Sequence, residues 1–307
     1  MTGVGSVLVT GPTGTVGAPL VDLLAAAGVP TVAGANRPSR YSGAQECRTL
    51  DFERPETFPD ALAGIDRVFL MRPPAISDTK RYLRPFLEMA ADRGVRHVVF
   101  LSVMGVNRVM PHWQVEQDLK SSPMTWTFLR PSFFAQNLQT AYGDDIRRRS
   151  QIRLASGNGR TSFIGTRDVA AVAALALREP SAHANRIYTL TGPQALDYHH
   201  VASMLSAQLQ RPITYEPLTL LAYRKELLRQ GLPSGYVTVQ LLINVVARLG
   251  LAAKTTDTVE QLLTRPPTDL ATYLREYRNC WLDSSGDDGD EGDDGDGDEQ
   301  ENEQKSR

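Results

Sequence analysis

The sequence predicts an α/β protein: a doubly wound parallel-sheet Rossmann fold followed by a small, mainly helical C-terminal cap. Three observations carry that expectation. The apolar, β-branched run Val7-Leu8-Val9-Thr10 meets Gly11-Pro12-Thr13-Gly14-Thr15-Val16-Gly17, a G-x-x-G-x-x-G spacing that opens a helically spaced apolar stretch over 19–27. Short apolar strands then alternate with amphipathic segments, without hairpin signals. One strand, His97-Val98-Val99-Phe100-Leu101-Ser102, is almost wholly hydrophobic, as suits a parallel strand covered on both faces.

The glycine spacing is that of a dinucleotide phosphate site. Gly11 accepts the backbone angles of a tight turn. Gly14 lacks the Cβ that would hold a pyrophosphate away, and Gly17 lets the helix pack close to the strand. Thr13, Thr15 and Val16 complete the loop, and free N–H groups at the helix start would face the phosphates. A plain strand–turn–helix is the alternative; the placement between a strand and a helix favours the cofactor.

Further βα units are expected in order. The second strand, over 31–37, ends at Pro38. NAD-binding proteins usually carry Asp or Glu there for the ribose hydroxyls, but this chain carries Asn36 and Arg37, with Arg40 close behind. A guanidinium holds a 2′-phosphate through charge-assisted bonds worth ~1.5–3 kcal/mol, which favours NADP(H) and leaves NAD(H) open. A third strand over 46–52 ends in Asp51-Phe52, which would flank an adenine or merely cap a loop. A helix over 56–63 and a strand over 67–71 follow. Met71, Arg72 and Pro73 then lie at a carboxyl edge where open sheets bind ligands, and they join the cofactor set. Tyr82, Leu83, Phe86, Leu87 and Ala90 share one face of a helix over 79–93. A helix over 112–121 and a strand over 126–130 continue the alternation.

Past Pro131 the rhythm loosens: a helix over 168–177, a strand over 187–190, a helix over 198–210, and a largely helical 219–279. The expected organisation is a Rossmann domain over 1–150, with 151–195 completing its sheet, a substrate domain over 196–282, and a tail over 283–307. Twelve of the 35 acidic residues but only two of the 33 basic ones lie in that tail. It therefore carries a formal charge of −10 against +8 for the body. Without apolar residues it is expected to be disordered.

No basic cluster is interleaved with aromatics, which argues against nucleic acid, and Arg147-Arg148-Arg149 reads as a solvated helix face. Cys47 and Cys280 form neither a disulfide framework nor a metal spacing. His199-His200 lack a companion ligand, so no metal is expected. The first five residues offer no basic, apolar leader and no 18-residue apolar span occurs, so a cytoplasmic chain without a membrane segment is expected. The absence of a G-x-S-x-G elbow and of a Walker lysine removes hydrolase and NTPase readings.

Several stretches resemble the NmrA-like group of atypical short-chain dehydrogenase/reductases. They are Val9-Thr10-Gly11-Pro12-Thr13-Gly14-Thr15-Val16-Gly17, Gly94-Val95-Arg96-His97-Val98-Val99-Phe100-Leu101-Ser102, Leu129-Arg130-Pro131-Ser132-Phe133-Phe134-Ala135-Gln136-Asn137-Leu138 and Arg167-Asp168-Val169-Ala170. From Tyr188 to Val259 the chain is most similar to the ergot-alkaloid-type, festuclavine-dehydrogenase-like reductase branch. The resemblance implies NADP(H) or NAD(H) binding, a small substrate domain, and reduction of a small electrophile such as a quinone or iminium compound. It also implies an alternative, a non-catalytic dinucleotide sensor that regulates a protein partner.

The same resemblance supplies catalytic candidates. Such enzymes use a Tyr and, four residues on, a Lys; here His112 would take the Tyr place and Glu116 the Lys place. Glu116 would then raise the His112 pKa and favour a protonated donor, unless the pair is only a helix start. Ser102 closes the fifth strand near the nicotinamide, with Val103 where the group often has a second hydroxyl. Met104, Gly105, Pro131, Ser132 and Phe133 line the nicotinamide side. Met104, Phe133, Phe134 and Asn137 form the expected substrate pocket, with Phe133-Phe134 stacking on a flat acceptor. Lacking Tyr and Lys, the site suits an electron-poor acceptor, which needs little acid assistance.

Overall fold

The structure is a computed structural model that describes residues 5–38 and 46–282. Arg40 and the tail over 283–307, with its expected disorder, lie outside those residues. The first half runs β1 (Ser6–Thr10), α1 (Gly17–Ala26), β2 (Thr31–Ala35), β3 (Glu46–Thr49), α2 (Phe58–Ala61), β4 (Ile65–Met71), α3 (Thr79–Tyr82), α4 (Arg84–Asp92), β5 (His97–Leu101), α5 (Pro111–Lys120) and β6 (Thr125–Pro131). The second half runs β7 (Phe133–Phe134), α6 (Gly143–Arg149), β8 (Gln151–Leu154), β9 (Thr161–Ile164), α7 (Thr166–Arg178), β10 (Arg186–Leu190) and β11 (Ala195–Leu196). It ends with α8 (Tyr198–Leu209), β12 (Thr214–Pro217), α9 (Leu220–Arg229), α10 (Ser234–Arg248), α11 (Thr258–Leu263) and α12 (Leu270–Glu276).

Seven parallel strands form the main sheet in the order β10-β6-β5-β4-β1-β2-β3. The chain winds out from β1 to β3, then crosses back to β4 and on to β5, β6 and β10. The reversal lies between β1 and β4, which pair in parallel, and it opens the crevice where doubly wound sheets bind ligands. The expected doubly wound sheet is therefore present, and alternation along its strands explains their continuous hydrophobicity. Val7, Val9, Phe69, Val99, Leu101 and Leu129 are buried with Leu20, Val21 and Leu24 of α1 and with α7. Leu8, Val68, Leu70, Val98, Phe100 and Phe128 are buried on the opposite face with Phe58, Phe86, Val115 and Leu119. Each such side chain contributes about 1.5–3 kcal/mol.

Local breaks follow from local chemistry. The helix expected over 79–93 divides at Leu83, because Pro85 stands in the first turn of α4 and can supply no N–H to the preceding turn. The helix expected over 56–63 is a 3₁₀ turn followed by the four residues of α2, again with prolines at both starts.

The segment 151–195 contributes both to the main sheet and to the small strands beyond it. Within 151–195 only α7 and β10 return to the main sheet. β8 pairs with β12, and β9 lies between β7 and β11. Ile152, Leu154 and Phe163 are buried with Tyr198, Leu205, Tyr215, Tyr273 and Trp281, so this segment belongs to the core of the C-terminal lobe. Two buried polar side chains tie that lobe to α7. Gln136 Oε1 accepts the Thr166 N–H at 3.1 Å, and Asp168 Oδ2 accepts the Thr268 N–H at 2.8 Å. No helix among the described residues is long and apolar enough to cross a membrane.

At the amino end of the sheet, His97 is buried between two threonines, its Nδ1 2.8 Å from Thr125 Oγ1 and its Nε2 3.1 Å from Thr127 Oγ1. Thr127 donates its own proton to the His183 carbonyl, so its oxygen accepts from the His97 Nε2–H of a neutral ring. Burial, then His183 and Arg67, depress the His97 pKa to about 4. The unfolded chain binds this proton below its ordinary pKa near 6.5 and the folded chain does not. Stability is therefore full above that value and falls as pH drops toward 4, by up to roughly 3 kcal/mol. Urea unfolding at neutral pH and near pH 4.5 should show this loss, and His97→Gln should make it shallower. An equally steep loss in the variant would assign it to other groups.

Candidate active site

The loop after β1 is shaped by what glycine lacks. Gly11 sits at φ +62°, and a Cβ there would lie 2.1 Å from the Met71 methyl. A Cβ on Gly17 would lie 2.0 Å from the Gly11 carbonyl oxygen, so the start of α1 can press against the turn only without a side chain. A Cβ on Gly14 would come within 3.2 Å of the same oxygen, while the Gly14 N–H donates to it at 3.0 Å. Thr13 and Thr15 are exposed, and Val16 is buried beneath the loop. No side chain caps α1 and its first turn holds no acidic residue, so the helix start is open to an anion. This cradle fits a dinucleotide pyrophosphate. Thr10, which sequence reasoning passed over, fixes its floor: its buried Oγ1 accepts the Met71 N–H at 2.8 Å and locks the ends of β1 and β4 together.

Around the cradle the expected residues separate. Arg37 is exposed at the end of β2. Asp51 Oδ1 accepts the Glu53 N–H at 3.0 Å and so shapes the loop after β3. The Phe52 ring is not available to an adenine. It is buried edge-on against Phe86 at 5.2 Å, and close to Phe58, because an apolar ring gains more in that core than at the edge. Met71 lies against Gly11, while Arg72 reaches His112 on α5. Arg72 Nη1 donates to the carbonyls of Pro73, Pro74 and Ile76, and its Nε lies 3.4 Å from His112 Nε2.

The three catalytic candidates do not form a relay. Glu116 is fully buried and takes Arg130 in a two-point ion pair, Nε to Oε1 at 2.9 Å and Nη2 to Oε2 at 2.5 Å. Ser102, also buried, donates its hydroxyl proton to Glu116 Oε1 at 2.7 Å. The expectation that Glu116 raises the His112 pKa is therefore overturned. Burial, then the neighbouring Arg72 cation, push that pKa down to about 4, so the imidazole is neutral at ordinary pH. Ser102 and Glu116 thus brace β5, β6 and α5, and His112 alone of the three stays partly exposed at the strand edge. Arg130 was readable in principle, since an arginine within the buried strand Trp126-Thr127-Phe128-Leu129-Arg130 demands an acid.

The expected Phe133-Phe134 clamp also separates, because successive strand residues point to opposite faces. Phe133 lies parallel to Tyr142 at 6.3 Å and edge-on to Phe163 at 5.6 Å, whereas Phe134 packs on the core that contains α7. The Met104 N–H donates to the Pro131 carbonyl at 2.9 Å, which holds the two loop ends of β5 and β6 side by side. Ser132 Oγ donates to the Ser162 carbonyl, the Asn137 carbonyl accepts from Ala141 and Tyr142, and Phe133 packs against the core of the lobe. A cavity of about 80 Å³ lined by Phe163, Leu196, Met204 and Leu270 lies inside that lobe and is too small for an aromatic acceptor. Among the described residues no group of three His, Cys, Asp or Glu is placed to hold a metal.

A glycine cradle at an uncapped helix start, at the reversal point of a parallel sheet, defines a dinucleotide-binding α/β protein. Residues 11–180 match the model of the family described as NAD(P)H-binding. The chain belongs to this NAD(P)H-binding family, as its glycine spacing suggested. It is 33% identical over 281 residues to the NAD(P)H azoreductase of Xenophilus azovorans, spanning 88% of this chain and 97% of that protein. It is 28% identical over 288 residues to agroclavine dehydrogenase of Claviceps fusiformis, spanning 90% and 99%. The structure of the NADPH-dependent quinone oxidoreductase QOR2 of Escherichia coli with NADPH shares the fold, with a TM-score of 0.80 at 23% identity over 89% of this chain and 100% of that one. The class is thus that of NAD(P)-binding oxidoreductases.

His112 gives a direct check on the electrostatics. Its ring should titrate by NMR near pH 4, and Arg72→Gln should move the midpoint upward by removing a neighbouring cation. A midpoint between 6 and 7 in the unmodified protein would show that Arg72 and burial do not govern the ring.

Proposed function

We propose that the chain is an NADPH-preferring reductase of a small, conjugated electrophile such as a quinone or iminium compound, taken up between the strand edge and the C-terminal lobe. The observation that carries this reading is the poverty of acid at the edge. His112 is neutral and Ser102 has committed its proton to Glu116. The bound dinucleotide would supply hydride; Gly11, Gly14 and Gly17 would seat its pyrophosphate, and Arg37 would meet a 2′-phosphate. His112 can still donate a neutral hydrogen bond to a developing anion, but it is a weak acid. General acid assistance is worth about 10²–10⁴-fold, so acceptors that depend on it are disfavoured.

Steady-state oxidation of NADPH with matched quinone, iminium and ketone acceptors tests the proposal. Turnover should favour the quinone or iminium over the ketone by about a hundredfold or more. Tight NADPH binding without turnover of any acceptor would instead support the sensor function. Cofactor preference has its own test. Arg37→Ala should lower kcat/KM for NADPH about tenfold relative to NADH, and equal losses for both cofactors would remove Arg37 from 2′-phosphate recognition.

A further inference from the structure

Arg72 is a partly buried cation whose donors are not all spent. Nη1 is taken up by the three carbonyls of its own loop and Nε faces a neutral ring. Nη2 has no hydrogen-bond partner, and no carboxylate lies within ion-pair distance, among the described residues. Most other half-buried arginines differ, although Arg278 also lacks a carboxylate and bonds the Gln208 carbonyl through Nε alone. Arg67 pairs with Asp66, Arg130 with Glu116, and Arg153 with Glu216 and Glu226. Arg211 also lacks a carboxylate, but it uses both terminal nitrogens on Ser150 and on the carbonyls of Ile146, Arg147 and Trp281, as a staple between α6 and the C-terminal turn. The Arg72 Nη2 is not buried, so its donors stay open, and an anion arriving there would gain a charge-assisted pair.

Position decides which anion. Adjacent residues at the end of β4 diverge: Met71 touches the glycine turn, and Arg72 reaches α5 and His112 on the β5 side. The pyrophosphate cradle is therefore on the Met71 side, and Arg72 faces the part of the crevice left for the acceptor. We infer that Arg72, oriented by its loop carbonyls and by His112, recognises an anionic substituent, a carboxylate or sulfonate, on a conjugated acceptor. This specificity rests on the reductase reading above for turnover, although the anion site itself does not require turnover.

The test has a binding arm and a kinetic arm. In the first, naphthalene-2-sulfonate and the neutral naphthalene-2-sulfonamide, neither of them reducible, are titrated into the NADPH-loaded protein. The sulfonate should bind about tenfold or more tightly, in a salt-sensitive way. Arg72→Gln should abolish that preference, and Arg72→Lys should retain part of it, as a charge without the two-point fork. In the second arm, the ratio of kcat/KM for 1,4-naphthoquinone-2-sulfonate over 1,4-naphthoquinone should fall about tenfold in Arg72→Gln. No sulfonate preference in the unmodified protein overturns the inference whether or not the variants fold. A variant that loses NADPH affinity about tenfold while keeping its sulfonate preference also overturns it, by assigning the guanidinium to the cofactor. Sulfonate preference without quinone turnover would sink the reductase reading and leave the anion site standing.

Discussion

Glu116 carries a charge into the interior between α5 and the ends of β5 and β6, and the arrangement of the strand edge follows from satisfying it. Arg130 reaches it from β6 with two parallel hydrogen bonds, and Ser102 adds a third from the end of β5. A buried carboxylate left unpaired would cost several kcal/mol, so these three elements are held in one register. Because α5 is anchored at Glu116, one turn further toward its start His112 arrives beside Arg72. The residue pair that sequence spacing would join, His112 and Glu116, is thereby divided between two different networks.

That division gives the edge an unusual electrostatic character. The carboxylate that would have made His112 an acid is neutralised elsewhere, and the group that does reach the imidazole is a cation. The result is a sheet edge with a neutral imidazole and a guanidinium that has no carboxylate partner among the described residues, beside the glycine turn that Met71 touches. Both halves favour anions, by different means: backbone N–H groups and a helix dipole on one side, a guanidinium on the other.

Much of the fold was legible because its determinants are local. The glycine spacing, the β-branched runs and the amphipathic helices each act within one turn or one strand, and the parallel sheet appears as they imply. The parts that were not legible depend on distant partners. β8 finds β12 some sixty residues on, and β9 lies between the two-residue strands β7 and β11, so no periodicity marked them. Phe52 and Phe134 look like ligand-stacking aromatics in the chain, but Phe52 is a core residue and the half-buried Phe134 packs against the core, because apolar rings are drawn to whichever buried face is available.

By itself the sequence determined the sheet, its dinucleotide cradle and the family. These rest on residues whose effect is short-ranged: a missing Cβ, a run of branched side chains, an open helix start. Tertiary structure alone decided the chemistry of the site. Whether a carboxylate raises the pKa of a histidine, or spends itself on an arginine from another strand, is a matter of which side chains meet in space. Coulombic and desolvation energies depend on those distances and on burial, and neither is written in the spacing of residues along the chain.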